Sequence, residues 1–268
     1  MSLQFILGNS GAGKSYFLFQ HIIQEAEKHP EKNYLVIVPE QFTMQTQKEL
    51  VSLSPNHGIM NVDVLSFQRL AYRVLQETGG ENRAVLEETG KTLVIQRVIQ
   101  EEEKKLGVLA GSLKKTGTVS EMKSLVSELI QYDIRPEQMN NIEEKSRERT
   151  FLASKLSDIR IVYEGFVNYL KNRYITGEEI LDVLCDKIGE SRMMKNCQVI
   201  LDGFTGLTPL QNKVMRKILK LSEKVWVTVT LDEKVPREKL KSPQHLFRMS
   251  GAMLDHLTRL ALEERVEV

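Results

Sequence analysis

Apolar residues near the start of the chain follow two periods in turn. Unbroken apolar runs at 3–7 and 34–38 read as short buried strands. Between them Phe17, Leu18, His21, Ile22 and Ala26 recur at helical spacing and predict a helix over 13–29. A second helical pattern covers 41–53, a third strand 62–67 and a third helix 69–77. Strands separated by helices of this length imply βαβ units and a parallel sheet. The pattern changes at the breaker cluster Thr78-Gly79-Gly80. From 83 to 191 no strand is expected. Helical periodicity instead fills 86–106, 119–132, 151–170 and 178–188, separated by 107–117 and by Arg135-Pro136. Strand signals return at 197–202. A helix over 209–221 follows, with Thr208 as its N-cap, then a β-prone run at 225–231 and a helical tail from 243 to 264. The economical reading is an α/β domain, 1–78 and 192–268, interrupted by an all-helical insertion over 79–191.

Composition narrows the classes. The chain has 268 residues, 41% hydrophobic and 27% charged, which is ordinary for a globular protein and excludes a disordered or collagen-like chain. No apolar run reaches membrane-spanning length, and the N-terminal segment does not read as a signal peptide, so no membrane association is expected. The formal charge of +1, from 37 basic and 36 acidic residues, excludes a general basic coat but allows a local basic groove. Two cysteines, Cys185 and Cys197, make neither a disulfide framework nor an all-cysteine cluster, and point to the cytoplasm. The five histidines lack metal-ligand spacing, and the ten methionines are scattered as core filler. The charged stretches 101–105 and 143–149 read as solvated faces or loops.

Chemistry enters at Gly8-Asn9-Ser10-Gly11-Ala12-Gly13-Lys14-Ser15, a full G-x-x-x-x-G-K-[ST] match between a strand and an amphipathic helix. Glycines let the backbone curl so that successive N–H groups face phosphate oxygens. Lys14 is expected to reach the β- and γ-phosphates of ATP, and Ser15 to ligate Mg²⁺. The apolar run Val199-Ile200-Leu201 ends in Asp202, the expected second metal residue. The slot after Asp202 holds Gly203 and Phe204, not a glutamate, so nucleotide binding and hydrolysis are separate questions.

The ordered set of segments resembles the first domain of UvrD-like superfamily 1 helicases, and more closely the N-terminal region of the AddB family of bacterial helicase–nuclease proteins. Beside the phosphate loop, the resemblance is carried by 35–43 (LVIVPEQFT), by 63–70 (DVLSFQRL), by 163–184 and by 201–211 (LDGFTGLTPLQ), and it covers essentially the whole chain. It implies a RecA-like domain 1A split by a helical 1B subdomain. It implies single-stranded DNA contacts from Phe42, Thr43, Ser66, Phe67 and Arg69, and an AddA-like partner in a heterodimer. It also implies that the chain is a fragment. The second RecA-like domain and the nuclease domain with its iron–sulfur cluster would lie elsewhere, and two cysteines could not bind that cluster. The family acts in double-strand break repair by homologous recombination, including recognition of the Chi sequence. Motor function is not expected. The glutamine motif upstream of the loop has no room, the glutamate after Asp202 is absent, and 230–234 lacks the sensor glutamine. Lys234, Arg237, Lys239 and Lys241 form a basic stretch that reads first as a solvated loop. Two other readings stay open: a small-molecule phosphotransferase, allowed by the loop, and a structural module with a relic loop.

Overall fold

The computed structural model describes residues 1–79, 83–112, 116–146, 148–232 and 234–268, without the side chains of Ser112, Thr116 and Arg237. Gly80 of the breaker cluster, Arg147 of the 143–149 stretch, Glu233 and the Arg237 side chain therefore lie outside the described residues. The chain divides into two compact units, Met1–Gly80 with Leu181–Val268, and Glu81–Ile180.

In the first unit β1 (Ser2–Gly8) leads through a glycine loop into α1 (Lys14–Lys28). Then come β2 (Tyr34–Ile37), a 3₁₀ turn (Glu40–Phe42), α2 (Thr43–Leu53), β3 (Val62–Leu65) and α3 (Phe67–Thr78). In the second unit β4 (Ala84–Leu86), α4 (Glu88–Glu102), α5 (Thr116–Gln131), α6 (Pro136–Lys145), α7 (Thr150–Leu170) and β5 (Tyr174–Thr176) follow. The first unit resumes along α8 (Ile180–Lys187) and continues with β6 (Gln198–Leu201), α9 (Pro209–Leu221), β7 (Lys224–Thr230), α10 (Arg237–Leu240) and α11 (Arg248–Glu263).

The large sheet has the order β1-β7-β6-β2-β3, with every pairing parallel. The parallel α/β expectation holds. Every residue of β2 and β6 is buried, which is why both read as unbroken apolar runs: a parallel strand is covered on both faces. Leu18, Phe19 and Ile22 of α1 pack with Tyr34, Val36 and Val38 and with Ile200 in one core. Parallel pairing sets the carboxyl ends of all five strands along one edge, where ligands bind in such sheets.

The second unit packs Ile95, Val98 and Ile99 of α4 with Val126 and Ile130 of α5 and Val162, Tyr163 and Phe166 of α7. The Tyr163 hydroxyl donates to Ile134 O at 2.9 Å.

Four expectations are corrected. The stretch 83–191 does contain strands: β4 and β5 pair in parallel, Val85 opposite Ile175. Each is three residues long, too short to register a period, and the pairing joins opposite ends of the segment. Pro136, read as a break, instead opens α6, where the missing N–H costs nothing in the first turn. Gln138 Oε1 accepts the Arg135 N–H at 2.7 Å and fixes that start. The third strand ends at Leu65, because Ser66 turns to cap α3 and Phe67 already belongs to that helix. The tail is not one helix: α10 precedes α11 across a turn at 241–247. Among the described residues, no helix is long and apolar enough to cross a membrane.

Candidate functional site

The loop between β1 and α1 is built by its glycines. Gly11 and Gly13 sit at φ of 77° and 80°, a region where a side chain adds strain, and the Ala12 N–H closes a turn onto Asn9 O at 3.2 Å. Asn9, Ser10 and Ala12 are exposed around that turn, and Gly8 is buried beneath it. A Cβ on Gly8 would meet the Ala12 Cβ at 3.3 Å. Gly13 caps α1 without a side chain, and the first helical bond runs from Phe17 N–H to Gly13 O at 2.9 Å. The amides before Phe17 are the N–H groups that a helix start leaves without intrahelical partners. They add to the positive end of the helix dipole at the loop.

Lys14 bends back over this loop, with Nζ donating to Gly8 O at 3.0 Å and Asn9 O at 2.8 Å. Its ammonium is thus held at the mouth of the ring of backbone groups. Ser15, one residue on, donates its hydroxyl to Asp202 Oδ1 at 2.9 Å across 187 positions of sequence. Asp202 is only 7% exposed and is held from below, its N–H donating to Ile37 O at 3.0 Å. The Thr228 hydroxyl donates to the same Oδ1 and in turn accepts the Gly203 N–H at 3.4 Å.

A hydroxyl beside a carboxylate is the hard-oxygen chemistry that Mg²⁺ takes. Among the described residues no group of three or more His, Cys, Asp or Glu side chains could enclose a metal. A cation on Ser15 and Asp202 would therefore complete its shell with water and ligand oxygens, as Mg²⁺ commonly does on phosphates. The cysteines supply no thiolate nucleophile: burial pushes the Cys185 thiol up to about 11 and also raises Cys197.

The second group of expected residues gathers at the carboxyl ends of β2 and β3. Phe42 is 43% exposed at the end of the 3₁₀ turn. Thr43 is buried and its hydroxyl donates to Glu40 O at 3.0 Å. Ser66 is buried as the cap of α3, accepting the Arg69 N–H at 3.2 Å. Phe67, 4% exposed, packs edge-on against Phe204 with ring centroids 5.6 Å apart. Arg69 is exposed and its Nε pairs with Glu40 Oε1 at 2.9 Å. Phe42 and Arg69 thus face solvent, whereas Thr43, Ser66 and Phe67 hold the turn and helix that carry them. Lys234, Lys239 and Lys241 are exposed.

Gly203 joins the two groups. It has φ 78°, and a Cβ there would lie 3.6 Å from Pro39 Cδ and 4.0 Å from Phe42 Cδ2. Sequence reasoning missed Thr228, Phe204 and Glu40. The register of β7 against β1, Thr228 opposite Ile6, is what brings Thr228 to the site, and no local motif announces it.

Comparison with known proteins agrees with this geometry. The model of the family described as "ADDB, N-terminal" matches residues 5–268. Similar proteins include the AddB-type component of the ATP-dependent helicase/deoxyribonuclease of Lachnoclostridium phytofermentans, 45% identical over 268 residues and 100% of this chain. Proteins of the same description from Caldanaerobacter subterraneus and Bacillus mycoides are 36% and 30% identical, again over 100% of the chain. The chain spans 23% of the length of each of these relatives. With a family match running from Phe5 to the last residue, the chain belongs to the AddB N-terminal family.

Proposed function

We propose that this chain is the nucleotide- and DNA-binding, helicase-like N-terminal region of the AddB component of a bacterial helicase–nuclease. In this reading the first unit is a RecA-like domain 1A and the second is its 1B insertion. The whole assembly, a heterodimer with an AddA-like partner, processes DNA ends for double-strand break repair by homologous recombination in the cytoplasm. The nuclease domain and its iron–sulfur cluster belong to other parts of the protein.

The observation that carries the reading is the Ser15–Asp202 contact at 2.9 Å, because it joins the glycine loop to a carboxylate at the end of a neighbouring strand. The backbone of 8–13 would cradle the phosphates of ATP, and Lys14 would exchange its two carbonyl partners for β- and γ-phosphate oxygens. Ser15 and Asp202 would hold Mg²⁺, which when bound supplies charge neutralisation between the phosphates. Position 203 is glycine and Phe204 turns onto Phe67, so neither residue after Asp202 carries a carboxylate for an attacking water. The site thus fits nucleotide holding better than turnover.

At the carboxyl edge, Phe42 offers a ring for base stacking and Arg69 a cation for phosphate. Through Gly203 the nucleotide and DNA positions share one stretch of backbone.

The test is DNA unwinding by the complete complex carrying Lys14→Ala. We expect the rate to stay within about twofold of wild type, because the motor lies in the partner. Loss of unwinding would show that this site drives the motor.

A further inference from the structure

We propose that the outward stripe of α1 reads the base of the bound nucleotide and selects adenine, with Tyr16 and Phe17 as stacking rings and Gln20 as the hydrogen-bonding group. The inference rests on the phosphate-loop reading above. α1 buries Leu18, Phe19, Ile22, Ile23 and Ala26, so the core accounts for its apolar face. It does not account for Tyr16 and Phe17, which are 55% and 58% exposed immediately after Ser15. Two adjacent exposed rings abutting a phosphate loop are a surface with area to bury against a flat π-system.

Gln20 lies four residues past Tyr16 and three past Phe17, so the three side chains share one face of the helix. Its Nε2 donates to the Tyr16 hydroxyl at 2.8 Å, which sets the amide beside the ring. A primary amide has an acceptor oxygen and two N–H donors. With one N–H committed to Tyr16, a donor and an acceptor remain side by side. That pair complements the N6 amino group and N7 of adenine, as in amide readout of adenine elsewhere. Guanine presents two acceptors, O6 and N7, along the same edge and would set O6 against the amide oxygen. At a rise of about 1.5 Å per residue, Gln20 stands roughly 7.5 Å along the axis from Ser15, within the reach of a ribose carrying its base away from the phosphates.

The experiment is equilibrium binding of Mg-ATP, Mg-GTP and inorganic tripolyphosphate to the full-length protein. Wild type is compared with Tyr16→Ala, Gln20→Ala and Lys14→Ala. We expect ATP to bind roughly tenfold more tightly than tripolyphosphate, and Tyr16→Ala to remove most of that margin. Gln20→Ala should bring ATP and GTP to equal affinity. Tripolyphosphate binding should be unchanged in both variants and lost in Lys14→Ala. Photolabelling with an azido-adenine nucleotide should mark the peptide containing Tyr16. Equal affinity for ATP and tripolyphosphate, with Lys14→Ala abolishing both, would overturn the base assignment and leave the phosphate loop intact. Failure of all three ligands to bind would overturn both.

Discussion

At the residue scale, the site turns on one carboxylate oxygen. Asp202 Oδ1 accepts from Ser15 and from Thr228, so loop, β6 and β7 meet at a single buried atom. Thr228→Val keeps the shape and removes one donor to that carboxylate. A hydrogen bond to a charged group is worth about 1.5–3 kcal/mol, and urea denaturation should show a loss of that order. A Thr228→Val protein as stable as wild type would mean that the contact contributes nothing. Asp202 was legible in the sequence because a charge ending an apolar run is conspicuous. Thr228 was not, because threonine is an ordinary strand former and sits within Val-Trp-Val-Thr-Val. Only the strand order, which puts β7 beside β6, makes it part of the site. For Phe67, residue type suggested a stacking ring, and the tertiary neighbour Phe204 decided that the ring is covered.

At the element scale, close helix contact in the second unit depends on Gly165 in α7. A Cβ there would come 2.5 Å from Val98 Cγ1 on α4. In a helix interior Gly→Ala ordinarily stabilises by up to about 1 kcal/mol. Here overpacking against a stiff β-branched side chain costs about 1–3 kcal/mol and should win. Gly165→Ala should therefore lower the denaturation midpoint, and Val98→Ala in the same chain should recover part of the loss. A stabilised single variant would contradict the packing. A different device ties the end of α3 to the segment before β6. Glu77 accepts from the Ser191 hydroxyl and the Arg192 N–H, and the Ser191 contact, then the backbone contacts, hold its carboxyl below the usual range. A carboxyl depressed in the folded state contributes stability above its unfolded pKa and loses it as pH falls through the folded value. Glu77→Gln should flatten the fall in stability below about pH 4.5, seen as a shallower dependence of the thermal midpoint on pH. An unchanged slope would remove this carboxyl from the acid response. Element boundaries were legible where caps announce them: Pro209 to Leu221 with Thr208 as cap is the helix observed. They were not legible for β4 and β5, whose three-residue strands carry too few positions to show a period and find each other only in the fold.

At the scale of the whole molecule, the parallel sheet explains why residues from distant segments form one site. Five strands point their carboxyl ends the same way, and the glycine loop, Asp202, Phe42 and Arg69 all lie just beyond those ends. The glycine motif was visible at once because its chemistry demands a fixed local spacing. The link from that loop through Gly203 to Phe42 was not visible, since it depends on β2 and β6 being neighbours. The central claim is that this chain holds a nucleotide on Lys14, Ser15 and Asp202 without acting as the motor. The most direct measurement is calorimetric titration of Mg-ATP into the full-length protein, wild type against Lys14→Ala. The account predicts saturable binding at one site in the wild type, weakened at least about tenfold by Lys14→Ala through loss of a charge-assisted phosphate contact. Binding that is unaffected by the substitution, or absent from the wild type, would contradict it.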